Sequence, residues 1–328
     1  MQIGLFLDLR NPEQWRRPWA THYADTLALV ERAEELGLDS VWLTEHHLFA
    51  DGYLPQPLTL ASAIAARTSR IRIGTAVLLG ALRPAIQIAE EAAIVDLVSG
   101  GRLELGLGAG YVSWEFDAYG VDIAERYRIT DRRITELREL LDGGTVTPPP
   151  LQRPFPLWLG YQGPQGARRA GRLGVGLLCI NPDLLDTYRT GLAEGGHDPD
   201  SARMKGLVSI IVADDPDDAY ERILPHLAHQ LNTYREAGSA AMGRSPKPLT
   251  VDKLRDSRRA VGGVIPPLEV LTPGEAIDRL REMTAGLPVE EVYLWASIAG
   301  MDDDLVARHV ELLATEVRPA FVSTGAGS

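Results

Sequence analysis

Three adjacent titratable residues, Glu45, His46 and His47, form the most informative polar cluster in the sequence. They directly follow the apolar run at 40–43, which is typical of a buried β-strand. Imidazole and carboxylate groups can exchange protons near neutral pH, so the cluster predicts general acid–base chemistry at the end of this strand. The competing interpretation is a histidine pair that only forms local hydrogen bonds.

A metal site is the weaker interpretation of the same residues. The other five histidines fall on predicted helices or loops rather than at strand ends: His22, His197, His226, His229 and His309. Cys179 is the only cysteine, so neither an intrachain disulfide nor a multi-cysteine metal cluster can form. We therefore expect no metal ligands in this chain.

Two glycine-rich segments suggest places where the backbone approaches a ligand. The run Gly106-Leu107-Gly108-Ala109-Gly110 lacks the third glycine of the dinucleotide fingerprint, because Tyr111 stands there, and no acidic residue follows at the required distance. These departures exclude a Rossmann site. The segment GYQGPQG, residues 160–166, leaves a predicted strand and begins a helix, whose free backbone N–H groups could bind a phosphate.

The elements that must position these residues alternate between strand and helix along most of the chain. The predicted strands are 3–7, 40–43, 71–77, 102–107, 157–160, 175–179, 206–213 and 291–295. The predicted helices are 23–36, 57–68, 86–98, 131–142 with Thr130 as its cap, 165–173, 182–194, 216–237, 273–285 and 302–317. Eight strands in this order favour an α/β fold, a closed (β/α)₈ TIM barrel, formed as a single domain over residues 1–328.

Residues 238–272 interrupt this alternation after the seventh unit. The segment is rich in glycine, proline and charge, so we expect an insertion near the barrel mouth and interpret it as a mobile lid. Its glycines would allow large backbone changes, and its basic side chains could contact an anionic cofactor or substrate: Gly238, Gly243, Gly262 and Gly263, then Lys247, Lys253, Arg255, Arg258 and Arg259. The competing interpretation is a surface insertion without a catalytic part.

Composition excludes several classes of protein. The 328 residues are 45% hydrophobic and 24% charged, as in ordinary globular proteins, and the net charge of −12 argues against a nucleic-acid partner. The N-terminus lacks the basic and apolar regions of a signal peptide, and every long apolar stretch is broken by charges. We expect a cytoplasmic protein without membrane contact.

Taken in order, three segments resemble the luciferase-like flavin-dependent oxidoreductases, the superfamily of bacterial luciferase. They are residues 37–79, which include EHH, residues 89–120, which include SGGRLELGLGAGY, and residues 154–174. The resemblance implies a barrel, usually dimeric, that binds FMN or the deazaflavin F420 at the carboxyl ends of its strands. It also implies that a separate reductase or NAD(P)H reduces the flavin.

The resemblance assigns roles to individual residues. It implies that His46 is the catalytic histidine, with His47 beside it, and that Glu45 lines the flavin pocket. It places a non-prolyl cis peptide at Ala76-Val77, under the flavin ring. Further predicted cofactor contacts are Glu90, Gly110, Tyr111, Gln162, Gly163 and Gly166, the last three in the phosphate-binding turn.

One position departs from the pattern of luciferase. Ala109 stands where luciferase has the arginine that binds the flavin phosphate. Loss of this charge-assisted contact would weaken phosphate binding, unless Arg126, Arg128 or Arg168 replaces it. The choice between FMN and F420 is therefore open at this stage.

The sequence and the resemblance together favour a monooxygenase that uses reduced FMN and O₂ on a small organic substrate. Aromatic residues expected near the pocket suggest an apolar or aromatic substrate: Tyr53, Tyr111, Trp114 and Trp295. The alternatives are an F420-dependent dehydrogenase or reductase on the same barrel, and a flavin-binding protein without catalysis. The expected partners are a separate flavin reductase and a second copy of the chain.

Overall fold

The computed structural model describes residues 1–240, 245–256 and 267–322. The strands are β1 Gln2–Leu7, β2 Ser40–Leu43, β3 Arg72–Thr75, β4 Leu78–Leu79, β5 Leu103–Gly108, β6 Leu157–Leu159, β7 Gly176–Leu178, β8 Met204–Val208, β9 Ile210–Val212, β10 Glu269–Leu271 and β11 Val289–Trp295. The helices are α1 Trp19–Leu36, α2 Pro57–Arg67, α3 Ala85–Ser99, α4 Ser113–Tyr119, α5 Arg126–Asp142, α6 Gly163–Arg172, α7 Leu185–Glu194, α8 Pro216–Ala240, α9 Val251–Asp256, α10 Pro273–Thr284 and α11 Asp303–Leu312.

The principal sheet closes on itself with all neighbouring strands parallel. Its order is β3-β2-β1-β11-β8-β7-β6-β5-β4, and a further pairing of β3 with β5 completes the ring. Because β3 and β4 together make one barrel position, the sheet is the predicted eight-stranded (β/α)₈ barrel. The carboxyl ends of all eight strands therefore meet at one mouth, where barrel enzymes place their active sites.

The structure corrects several predicted boundaries. The third strand, predicted as 71–77, is split into β3 and β4 around Ala76 and Val77. The seventh, predicted as 206–213, is two strands, and the second of them, β9, pairs with β10 outside the barrel. Thr130 does not cap a helix, because α5 begins at Arg126 and buries Thr130 in its interior. The sequence predicts no helix at 113–119, where the structure has α4.

The segment at 238–272 contains more regular structure than the sequence suggested. Within its described part, α9 contacts α8, and β10 extends β9 by three parallel pairs. Residues 241–244 and 257–266, which include Gly243, Arg258, Arg259, Gly262 and Gly263, lie outside the described residues. The lid function of the segment stays a prediction. None of the described helices is both long and apolar enough to cross a membrane.

A buried ion network fills the amino-terminal part of the barrel interior. The ammonium group of Lys205 lies 2.7 Å from Glu104 Oε2 and 2.9 Å from Glu291 Oε2, and all three side chains are almost fully buried. Trp42 donates its indole N–H to Glu291 and Trp158 donates to Glu104, both at 2.7 Å. Burial opposes the charge on Lys205, but the two carboxylates outweigh it and raise the pKa of Lys205.

This network predicts a large cost for removing its cation. Lys205→Met would leave Glu104 and Glu291 buried without their shared partner, so we expect a loss of about 3–5 kcal/mol in the free energy of unfolding, measured by urea denaturation. Lys247→Met, at an exposed lysine, is the control. Equal stability of the two variants would contradict a structural role for the network.

Candidate functional site

Glu45 fixes the end of β2 to the second half of the third barrel strand. The backbone N–H of Leu79, on β4, donates to Glu45 Oε2 at 2.7 Å, and Arg83 and His47 donate to Glu45 Oε1. The Glu45 side chain is completely buried. A charged group without solvent requires such partners, so the carboxylate holds the chain in one position here. The contact of Glu45 with a cofactor stays a prediction.

Both ring nitrogens of His47 are occupied. Its Nε2–H donates to Glu45 Oε1 at 2.8 Å, and its Nδ1 lies 3.3 Å from the hydroxyl of Tyr119 on α4. The carbonyl of His47 accepts a hydrogen bond from the indole of Trp114 at 3.1 Å. These contacts make His47 a support for its neighbour rather than a residue with a free reactive nitrogen.

His46 is bound at one nitrogen only. Its Nδ1 lies 2.8 Å from Glu115 Oε1, and the same oxygen accepts the backbone N–H of His47 at 2.7 Å. Nε2 makes no hydrogen bond to any residue in the described ranges, and the side chain keeps 10% of its surface exposed. His46 is therefore the histidine of the pair that can exchange a proton with a bound molecule.

Aromatic rings surround His46. The ring centroids of Phe49, Tyr53, Tyr111 and Tyr234 lie 4.9, 4.7, 5.6 and 6.3 Å from that of His46. Burial raises the pKa of Tyr53 and of Tyr111, so both phenols stay neutral at physiological pH. The Tyr111 hydroxyl is buried and has no hydrogen-bond partner among the described residues. The surroundings of His46 are thus largely apolar, with one phenol hydroxyl unused.

The predicted non-prolyl cis peptide between Ala76 and Val77 is present in the structure. Val77 lies between two strand-end glycines, and a Cβ added at Gly108 or Gly160 would come within 2.3 Å of its side chain. Gly110 has a φ of +73°, a conformation that disfavours other residues. Glycines therefore surround the partly exposed side chain of Val77 at the barrel mouth and leave its surface uncovered by larger neighbours on these two strand ends.

The predicted phosphate-binding turn opens α6. Gly163 has a φ of +75°, and the space where its Cβ would lie is empty, so a ligand can approach the backbone there. Gly166 packs instead on Tyr161, and Gln162 is exposed. These residues fit a phosphate at the helix start, although the three arginines of α6 are already paired with carboxylates: Arg168 and Arg172 with Glu194, and Arg169 with Asp131.

The three arginines considered as replacements differ in their availability. Arg128 pairs with Glu125 and Arg168 pairs with Glu194, both near the surface. Arg126 donates one bond, from Nη1 to the carbonyl of Ile123, and its buried Nε has no partner among the described residues. Its guanidinium stacks on Tyr127, whose ring contacts Tyr161 directly before the phosphate turn. Arg126 is the best placed of the three.

Glu90 lies apart from this cluster. It is on α3, and its side chain is exposed. The structure therefore does not bring Glu90 together with Glu45 and the two histidines within this chain. Trp295, at the end of β11, is buried against Phe6 with its indole N–H unpartnered among the described residues.

Helix α8 is hydrogen-bonded, through Arg10, to the loops that follow β1 and β2. Arg10 Nη1 donates to Asp51 at 2.7 Å and to Thr233 of α8 at 2.6 Å. The guanidinium carbon lies 4.3 Å from the ring centroid of Tyr53 and 4.6 Å from that of Tyr234. Since Tyr53 and Tyr234 also contact His46, this buried cation holds α8 against one side of the site.

Sequence reasoning missed Glu115, Arg83, Arg10 and Tyr234. Glu115 lies on α4, within a segment predicted as loop, and the other three are single residues that no motif marks. The one signal in the sequence that could have found Glu115 is its position shortly after the SGGRLELGLGAGY segment, residues 99–111. Among the residues that the structure describes, no three His, Cys, Asp or Glu side chains are grouped so that they could hold a metal ion.

The buried Asp8 predicts a specific pH dependence of stability. Burial, partly offset by Arg10, raises the pKa of Asp8 from 3.8 to about 6. Its folded pKa exceeds its unfolded value, so its contribution favours folding at low pH and is lost as pH rises through about 6. Asp8→Asn should therefore gain stability relative to the parent between pH 4 and 7, by up to about 3 kcal/mol.

Urea denaturation at several pH values measures this difference. Asp186→Asn, at an exposed carboxylate, is the matched control. A stability difference between Asp8→Asn and the parent that is constant across the range would contradict the prediction.

Known proteins resemble this chain in sequence and in fold. Residues 1–288 match the family model of luciferase-like monooxygenases. The chain is 28% identical to 4-hydroxyprotoasukamycin monooxygenase of Streptomyces nodosus subsp. asukaensis, over 98% of this chain and 92% of the relative. It is 34% identical to F420-dependent glucose-6-phosphate dehydrogenase of Amycolatopsis mediterranei, over 50% of this chain and 55% of the relative.

A solved structure covers nearly the whole chain. The crystal structure of monooxygenase RslO1 from Streptomyces bottropensis superimposes with a TM-score of 0.78 at 25% identity, over 98% of this chain and all of that one. Because the family match spans most of the sequence and the fold is the same barrel, this chain belongs to the luciferase-like monooxygenase family.

Proposed function

We propose that the protein is a flavin-dependent monooxygenase that uses reduced FMN and O₂ to oxygenate a small, largely apolar organic substrate. The observation that carries this proposal is His46, whose Nε2 has no partner among the described residues while aromatic rings enclose the imidazole. The mouth that holds His46 also holds the glycines around Val77 and the open helix start at Gly163. A planar cofactor with a phosphate fits these two features.

The chain's own residues would contribute positioning, a proton-transfer group and protection from water. When bound, reduced FMN would supply the electrons that activate O₂. His46 Nε2 would accept a proton and return it, since no described residue competes for this nitrogen. Glu45 and His47 would keep the strand end in place. The rings of Phe49, Tyr53 and Tyr234 would exclude water from the reacting groups.

A second candidate is an F420-dependent dehydrogenase or reductase on the same barrel. Ala109, in place of a phosphate-binding arginine, favours this alternative, as does the similarity to an F420-dependent relative over half of the chain. Similarity to a monooxygenase over almost the whole chain favours FMN. We further propose that a separate reductase supplies the reduced flavin and that the protein is a homodimer.

Cofactor titration separates the two candidates. We expect reduced FMN to quench the protein's tryptophan fluorescence with a Kd far below millimolar, which corresponds to more than about 4 kcal/mol of binding free energy. F420 in both redox states and NAD(P)H are titrated in parallel. Tighter binding of F420 than of FMN would favour the F420-dependent dehydrogenase or reductase. Binding of NAD(P)H alone would exclude both functions.

Substitution of the two histidines tests their unequal roles. We expect His46→Ala to lower substrate-dependent product formation by roughly 10²-fold or more, the size of a lost acid–base contribution, without loss of the fold. His47→Ala should have a smaller effect, because His47 acts on its neighbour. Product formation per flavin oxidised is measured for both variants, and circular dichroism checks their folding. Unchanged turnover in His46→Ala would remove His46 from the mechanism.

A further inference from the structure

We infer that Glu115 is a positioning residue, which fixes His46 in the tautomer that carries its proton on Nδ1 and leaves Nε2 as an acceptor. This inference rests on the proposed function only for its catalytic consequence. The tautomer itself is a property of the protein without cofactor or substrate.

The geometry of the contact sets the direction of the hydrogen bond. Glu115 Oε1 lies 2.8 Å from His46 Nδ1, and the Glu115 side chain is completely buried. A carboxylate can only accept, so the imidazole must donate from Nδ1. Since a neutral imidazole carries one N–H, Nε2 is then an acceptor, and it is the nitrogen without a partner among the described residues.

The second contact of Glu115 makes the arrangement rigid. The same Oε1 accepts the backbone N–H of His47 at 2.7 Å, so α4 is tied both to the His46 ring and to the backbone that carries it. Trp114 and Tyr119 reinforce this link, because each also bonds to His47. These bonds to His47 hold Glu115 at a fixed place beside the backbone that carries the His46 ring.

The other carboxylate of the cluster cannot fill this role. Glu45 already accepts from Leu79, Arg83 and His47, so its oxygens are committed to the strand end. Among the described residues, Glu115 accepts only from His46 Nδ1 and the His47 backbone, both at Oε1. Its Oε2 is buried and unpartnered among the described residues. A purely structural anchor gains nothing from a buried carboxylate with an idle oxygen, whereas orientation of an imidazole requires a strong acceptor at Nδ1.

The decisive measurement is the tautomer of His46 in cofactor-free protein, by two-bond ¹H–¹⁵N NMR of ¹⁵N-histidine-labelled protein at a pH where the imidazole is neutral. His46→Gln identifies the resonance. In the parent we expect mainly the Nδ1–H form. In Glu115→Gln, whose amide can donate as well as accept, and in Glu115→Met, which can do neither through oxygen, we expect the Nε2–H form to increase.

Asp117→Asn is the matched control, because Asp117 is an exposed carboxylate on the same short helix. It should leave the tautomer unchanged. A parent protein with mainly Nε2–H on His46, or an Nδ1–H form that persists in both Glu115 variants, would overturn the inference. If Glu115→Met fails to fold, Glu115→Leu, which also offers no oxygen to Nδ1, replaces it in the test.

Turnover provides the second readout. A wrong tautomer in a comparable histidine–carboxylate pair lowers kcat by up to about 10⁴-fold, so we expect Glu115→Gln to lose between 10²- and 10⁴-fold while its Kd for reduced FMN stays within about twofold of the parent. A tautomer shift without any loss of turnover would overturn the positioning role. A tautomer shift in a protein that binds no flavin would instead overturn the proposed function and leave the inference intact.

Discussion

The buried carboxylate of Glu45 joins the end of β2 to β4, the second half of the third barrel strand. Its bond to the Leu79 backbone fixes β4 against the end of β2, and its bonds to Arg83 and His47 satisfy the remaining charge. Because the group is fully buried, its position cannot vary without leaving a charge unpaired. The orientation of His47, and through the backbone that of His46, depends on this contact.

Two adjacent histidines gain different roles because each meets a different carboxylate. His47 binds Glu45 within its own strand end, and both of its nitrogens are used. His46 instead meets Glu115 of α4, which binds only its Nδ1. The choice of carboxylate therefore leaves one imidazole nitrogen of His46 without a partner among the described residues, whereas both nitrogens of His47 have one.

The sequence supports the barrel because eight short apolar runs alternate with helical patterns, and parallel pairing is the arrangement that buries them. The sequence also predicts the EHH cluster as a candidate site, because that cluster directly follows a strand. Glu115 could not be predicted, since α4 has only seven residues and no amphipathic period, and its value depends on a contact with a residue 69 positions away. Arg10 and Tyr234 could not be predicted either, because Arg10 contacts Thr233 and Tyr234 across 223 or more positions of the chain.

The two ends of the barrel use buried charge differently. At the amino-terminal end, the charge of Lys205 is shared between Glu104 and Glu291, and two tryptophan indoles donate to the same carboxylates, so each charge has a partner of opposite sign. At the mouth, polar atoms stay unpartnered within the described chain: one oxygen of Glu115, the hydroxyl of Tyr111 and Nε of Arg126. Buried polar atoms are ordinarily satisfied, and the exceptions concentrate at functional sites. The unpartnered polar atoms at the mouth therefore support the proposal that a ligand binds there rather than at the opposite end of the barrel.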